Sequence, residues 1–142
     1  MSFDRILPVT NDRDTAGFFE ACKNKTLVYR ACQSCNAALN PPRAHCGICG
    51  SWDTSWREAN GRGHLYSWTT VCHQVHPAYG VPYTVVIVEL EDAPKVRLVG
   101  QLEGSPDLRA GMEMQVWFET LEDGTVLPQW KPIEKNQQGK ES

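Results

Sequence analysis

Cys32-Gln33-Ser34-Cys35-Asn36 and Cys46-Gly47-Ile48-Cys49-Gly50 decide how this chain is read. Each stretch holds two cysteines with two residues between them, and ten residues separate the pairs. A C-x-x-C turn puts both sulfurs on one side of the backbone, and two such turns complete a tetrahedral thiolate site. Asn36 and Gly50, which follow the second cysteine of each pair, are residue types that readily take positive φ. A turn folding its N–H groups around a metal-bound sulfur requires that conformation. Two disulfides or four free thiols are the alternatives. The opening residues, Met1 to Pro8, lack a continuous apolar core and are soon followed by Asp12 and Asp14. No secretory leader is therefore expected, a cytoplasmic location is, and a reducing compartment weighs against disulfides. Tetrahedral S₄ suits zinc or a single iron. Nothing else here suggests electron transfer, so the expectation is zinc on Cys32, Cys35, Cys46 and Cys49. Four thiolates leave no open position for substrate, which makes the metal structural.

Working outward from the cysteines, Leu27 to Ala31 reads as a strand entering the first turn, and Ser51 to Glu58 as a strand leaving the second. Asn40-Pro41-Pro42-Arg43 is extended, because the two prolines exclude a helix. Residues 27–58 therefore read as a zinc ribbon. Before it, Asp14 to Lys23 predicts a short helix with Asp12 or Asp14 as N-cap and Asn24 at its end. Phe18, Phe19 and Cys22 share one face, which must dock on this chain or on a partner. Residues 1–26 form this N-terminal helical segment.

Gly61-Arg62-Gly63 punctuates a change in composition. His64–Val71, Tyr83–Leu90, Val96–Leu102, Met112–Glu119 and Val126–Trp130 predict five strands. Tyr83–Leu90 is nearly apolar throughout and is expected to be central and covered on both faces. Met112, Met114, Val116 and Phe118 alternate with Glu113, Gln115, Trp117 and Glu119, the period of a half-buried strand. Pro128 puts the last strand at an edge. Five short strands over residues 59–132 suggest a small closed barrel such as an OB-fold. Residues 133–142 read as a polar, mobile tail. The fold class is thus mainly β: a short helix, a ribbon and a five-stranded barrel. The length of 142 residues and a hydrophobic share of 41% fit one domain, or two small ones sharing an interface. No run approaches the roughly 20 apolar residues that span a bilayer, so no membrane is expected as a partner.

Cys22 reads as a small core residue. Cys72 sits beside His73 with His76 nearby. That grouping can be a second metal site, a nucleophile with an activating histidine, or a plain loop with a buried thiol. Residues 59–132 carry five Lys/Arg against nine Asp/Glu within a net charge of −3 for the chain. Nucleic-acid affinity comes largely from neutralising phosphates, so an acidic barrel without a basic stripe is a poor candidate. A single-stranded nucleic-acid module stays as the alternative function, because OB-fold aromatics can stack bases. There is no G-x-S-x-G, P-loop, G-x-G-x-x-G or H-E-x-x-H.

The aromatic helix, both cysteine turns, Asn40-Pro41-Pro42-Arg43, Gly61-x-Gly63, the Ser67-to-Val71 strand, Pro82-Tyr83-x-Val85-Val86, Gly111-Met112 and Pro128-x-Trp130-x-Pro132 together resemble the DUF35 family. These are acyl-CoA-associated proteins with a rubredoxin-like zinc ribbon and an OB-fold. The resemblance spans about residues 14–132. Asn36 stands where many relatives have glycine. It implies the metal role for the four cysteines and an accessory subunit docking on a thiolase-superfamily enzyme. In that reading the chain helps form or cover an acyl-CoA site, as in aldolases that shorten steroid side chains or in acyltransferases. The chain would then be non-catalytic by itself. His73, His76, Tyr79 and Trp117 are the residues expected to face a ligand or partner. The loop from Cys72 to Gly80 carries three of them, and OB-fold loops often bind. Tyr83 and Trp130 are weighed as interface anchors or as core.

Overall fold

The computed structural model describes residues 5–133; the expected mobile tail lies outside the described residues from 134 on. The elements are α1 (Ala16–Lys23), β1 (Val28–Cys32), β2 (Ala38–Leu39), β3 (Thr54–Glu58), β4 (Arg62–Val71), β5 (Tyr83–Leu90), β6 (Arg97–Glu103), β7 (Glu113–Thr120) and β8 (Val126–Pro132). They form a three-stranded sheet, β2-β1-β3, and a five-stranded sheet, β6-β5-β4-β7-β8. All ladders are antiparallel.

Helix α1 starts differently from expectation. Its N-cap is Thr15, with no side-chain capping bond. The Asp12 carboxylate instead accepts from Thr15 N at 2.8 Å and Thr15 Oγ1 at 2.9 Å, bonds that lower its pKa. Asp14, just before the N-cap, turns to the ribbon, and its Oδ1 accepts from Ala44 N at 2.7 Å, tying the helix start to it. Arg30 adds to this tie by donating to the carbonyls of Arg13 and Asp14. The helix packs on this chain itself: Gly17 lies against the indole of Trp56, where a Cβ would collide. Phe18 joins the barrel core and Cys22 is fully buried. Burial pushes the Cys22 thiol up to about 12, as expected for a small core residue.

In the five-stranded sheet, β4 bends at a bulge between Leu65 and Ser67. Its first half, Arg62 to His64, pairs with β7, while β5 follows it to Val71. The core is formed by Leu65, Val86, Val88, Leu90, Met114 and Trp130, with Leu27 reaching in from the ribbon side. Tyr29 and Ala38 of the small sheet also pack against this core, so the two sheets share an interface.

Two expectations about the barrel need correction. Strand β5 is buried on one face only: Thr84, Val86, Val88 and Leu90 face the core, while Tyr83, Val85, Ile87 and Glu89 are half-buried. Its uniform apolarity concealed an ordinary alternation. The barrel is also not closed by a ladder among the described residues. Its edges β6 and β8 meet through a side chain, with Gln101 N donating to Gln129 Oε1 at 2.8 Å. Gly100 permits this approach, since a Cβ there would lie 2.9 Å from the Trp130 ring. Strand β8 is at an edge, as Pro128 requires.

Candidate metal centre and the surfaces around it

The two cysteine turns fold as near copies. Asn36 N donates to Cys32 O and Gly50 N to Cys46 O, each at 2.9 Å. Asn36 and Gly50 take φ of 65° and 82°, the left-handed conformation expected from residue type. Further N–H groups point at sulfur: Cys35 N at Cys32 Sγ (3.4 Å), Ile48 N at Cys46 Sγ (3.4 Å) and Cys49 N at Cys46 Sγ (3.5 Å). The four sulfurs lie within 4.8 Å of one another, with Cys32–Cys49 at 3.6 Å and Cys35–Cys46 at 3.7 Å. Cys32 and Cys46 are buried at the base, and Cys35 and Cys49 close the exposed side.

This donor set is compatible with a structural metal such as zinc. The electrostatics prepare two of the thiols for it. The Cys35 N–H, followed by the Ser34 N–H and the neighbouring sulfurs, outweighs burial and pulls the Cys32 thiol down to about 6. The Cys49 and Ile48 N–H groups act likewise on Cys46. Cys35 and Cys49 move the other way. The Ala37 and Ser51 N–H groups pull them down, but burial and adjacent sulfurs push harder. Four close sulfurs cannot all ionise without a cation among them.

Cys72, His73 and His76 do not form a metal-binding group among the described residues, where the four ribbon cysteines make the one such cluster. Cys72 is exposed, so the expectation of a buried thiol was wrong as well. The strand ends before it, and the following loop leaves no element to cover the sulfur. His73 is also exposed. His76 Nδ1 accepts from Ala78 N at 3.0 Å, and its ring lies 5.5 Å from that of Tyr79. Tyr79 is held from the other end of the chain: Ile6 N donates to its hydroxyl at 3.0 Å, and the Arg5 guanidinium lies 5.7 Å from its ring centre. Arg5 also pairs with Glu119 at 2.8 Å, and Glu119 accepts from Gln129 Nε2 at 2.9 Å. Arg5, Tyr79, Tyr83 and Glu103 thus border a cleft of about 330 Å³. Trp117 projects outward from β7, as its alternation predicts. Trp130 is fully buried and belongs to the core rather than to any interface.

The sequence reading missed the role of Arg5 and the contact between Asn40 and β6, where Asn40 Nδ2 donates to Arg97 O at 2.9 Å. No local pattern marks either, because the partners are 114 and 57 residues away in sequence. No helix among the described residues is long and apolar enough to cross a membrane.

A knuckle pair of cysteines on a small sheet, packed against a five-stranded OB barrel, defines a ribbon–barrel protein. A family model described as the ChsH2 C-terminal OB-fold domain matches residues 56–119. A DUF35 domain-containing scaffold protein of Pyrococcus furiosus is 32% identical over 107 residues, covering 70% of this chain and 78% of that protein. A solved structure described as the Ltp2-ChsH2(DUF35) aldolase superposes with a TM-score of 0.78 at 35% identity, covering 88% of this chain and 98% of that one. The chain belongs to the DUF35 family. A protein named as a probable enoyl-CoA hydratase alpha subunit, from Thermomonospora curvata, is 40% identical over 130 residues. That match covers 90% of this chain but 40% of the subunit, so the chain spans about two fifths of that relative's length.

Proposed function

We propose that this chain is an accessory subunit docking on a thiolase-superfamily enzyme that acts on acyl-CoA esters. The reading names a side-chain aldolase of steroid-CoA degradation, or an acyltransferase, whose acyl-CoA site the chain helps to form or cover. The observation that carries it is the match to a chain of the Ltp2-ChsH2(DUF35) aldolase along 98% of that chain's length. Zinc on Cys32, Cys35, Cys46 and Cys49 holds the ribbon, and its closed thiolate shell does no chemistry on substrate. His73, His76, Tyr79 and Trp117 are offered as ligand- or partner-facing. Tyr79 lies at the cleft beside Arg5, and Trp117 projects outward from β7.

The nucleic-acid alternative is disfavoured by where the cations sit. Arg5 is paired with Glu119, and Arg97 is paired with Glu89 while stacked 3.9 Å from the Tyr66 ring centre. With these two guanidinium groups already held and five Lys/Arg against nine Asp/Glu over residues 59–132, the barrel offers little to a phosphate backbone.

Co-expression with a thiolase-fold aldolase subunit of the same organism tests the reading. A stable hetero-oligomer that cleaves the CoA-ester aldol product, with neither protein alone turning over, is the expected result. Turnover by this chain alone, or failure to associate, would overturn it.

A further inference from the structure

The outer face of β4, β5 and β6 carries exposed and half-buried apolar side chains. Pairing across the ladders places Ile87 beside Val99 and Val85 beside Gln101, facing away from the core. The bulge turns Tyr66 to the same side, beneath Arg97. Val99 is 61% exposed and Tyr66 50%, while Val85 and Ile87 are partly open. Exposed apolar surface of this kind, rimmed by polar groups, marks an interaction site. The face is bounded at one end by the ribbon, where Asn40 bonds the Arg97 carbonyl, and at the other by the cleft beside Arg5 and Tyr79.

The rim has a sign. In the β5–β6 register Glu103 lies at one end of the patch and the Glu89–Arg97 ion pair at the other, and the turn beyond that pair adds Lys95 with Glu91 and Asp92, which accept from Asn60; four carboxylates stand against two cations. That potential repels a phosphate-bearing ligand and suits a surface carrying Lys and Arg. We propose that this face is where the partner enzyme of the preceding section docks, through an apolar contact centred on Val99 and ringed by the partner's basic side chains. The proposal rests on the accessory-subunit reading and adds to it the surface and the chemistry of the partner.

Binding of the purified, zinc-loaded chain to a thiolase-fold aldolase subunit of the same organism is measured by calorimetry, for wild type, Val99→Glu, Glu103→Lys and Trp117→Ala. Both Val99→Glu and Glu103→Lys are expected to weaken association by about tenfold or more, the scale of an interface hot spot. Added salt should weaken the wild-type complex. Thermal unfolding and zinc content should stay at wild-type values, since both positions are exposed; if Val99→Glu misfolds, Glu103→Lys carries the test. Normal binding by both Val99→Glu and Glu103→Lys would overturn the proposal, and loss in Trp117→Ala beside it would confine docking to the β7 residue already offered as partner-facing, leaving the accessory reading intact. A free chain that dimerises, and that Val99→Glu makes monomeric, would assign the face to a second copy and also overturn it. No binding by the wild type would remove both.

Discussion

In the ribbon, the buried cluster is Cys32, Leu39 and Cys46, two of them metal-site cysteines, whereas ten buried residues form the cluster at the barrel's core. The ribbon's three-stranded sheet includes a strand of two residues, Ala38–Leu39. Such a unit buries too little apolar area to offset the entropy of ordering its backbone. The barrel has that area, with Trp130, Met114, Leu65 and Val88 fully enclosed. One chain thus carries two small sheets with two different resources, a four-cysteine cluster compatible with a structural metal in the first and burial in the second. Where they touch, through Leu27, Tyr29 and Ala38, the ribbon borrows some of the barrel's core.

Removing the metal should break this comparison most visibly. Structural zinc contributes about 10–16 kcal/mol in small zinc modules. Chelation, or Cys46→Ser, is expected to unfold residues 28–58 while the barrel keeps a cooperative transition. Amide signals of β3 and β5, followed separately by NMR, report the two outcomes. Intact β3 signals after complete metal removal would show that packing against the barrel alone suffices.

The converse perturbation is smaller. Met114→Ala empties a fully buried site in the barrel and is expected to cost about 2–5 kcal/mol. Denaturant unfolding measures the loss, and zinc content should remain one ion per chain. A drop in bound zinc at native temperature would show the two parts to be coupled more tightly than their separate cores suggest.

The smallest effect concerns Cys22, the buried residue of α1. Its thiol is held near 12 by burial against an ordinary value near 9. Above pH 9 the unfolded chain releases this proton while the folded chain keeps it, so the folded state binds more protons. Stability should be unaffected by this group below pH 9 and fall as pH rises from 9 toward 12. Cys22→Ala should flatten that slope in denaturation curves taken on either side of pH 9. An unchanged slope would mean that the thiol is not buried.

The gathering of four cysteines into one cluster, both left-handed knuckle residues, the edge position of β8 and the outward Trp117 were all legible in the chain. Each depends on neighbours within a few residues: a turn's spacing, a side chain that tolerates positive φ, a missing N–H, a two-residue period. Where the alternation was hidden by uniformly apolar residues, as in β5, the reading erred. It erred again at Asp14, whose carboxylate looked like a cap but holds Ala44 thirty residues away.

By itself, then, the order of residues determined which atoms can bind a metal, which segments extend and which family pattern they fit. Only the tertiary structure decided that Gln129 stitches the barrel edges, that Arg5 clamps Tyr79 and Glu119, and that β4 to β6 leave an apolar face bare. Turns and periods are local, so sequence carries them; seams, clamps and open faces exist only once distant segments are brought within a hydrogen bond of each other.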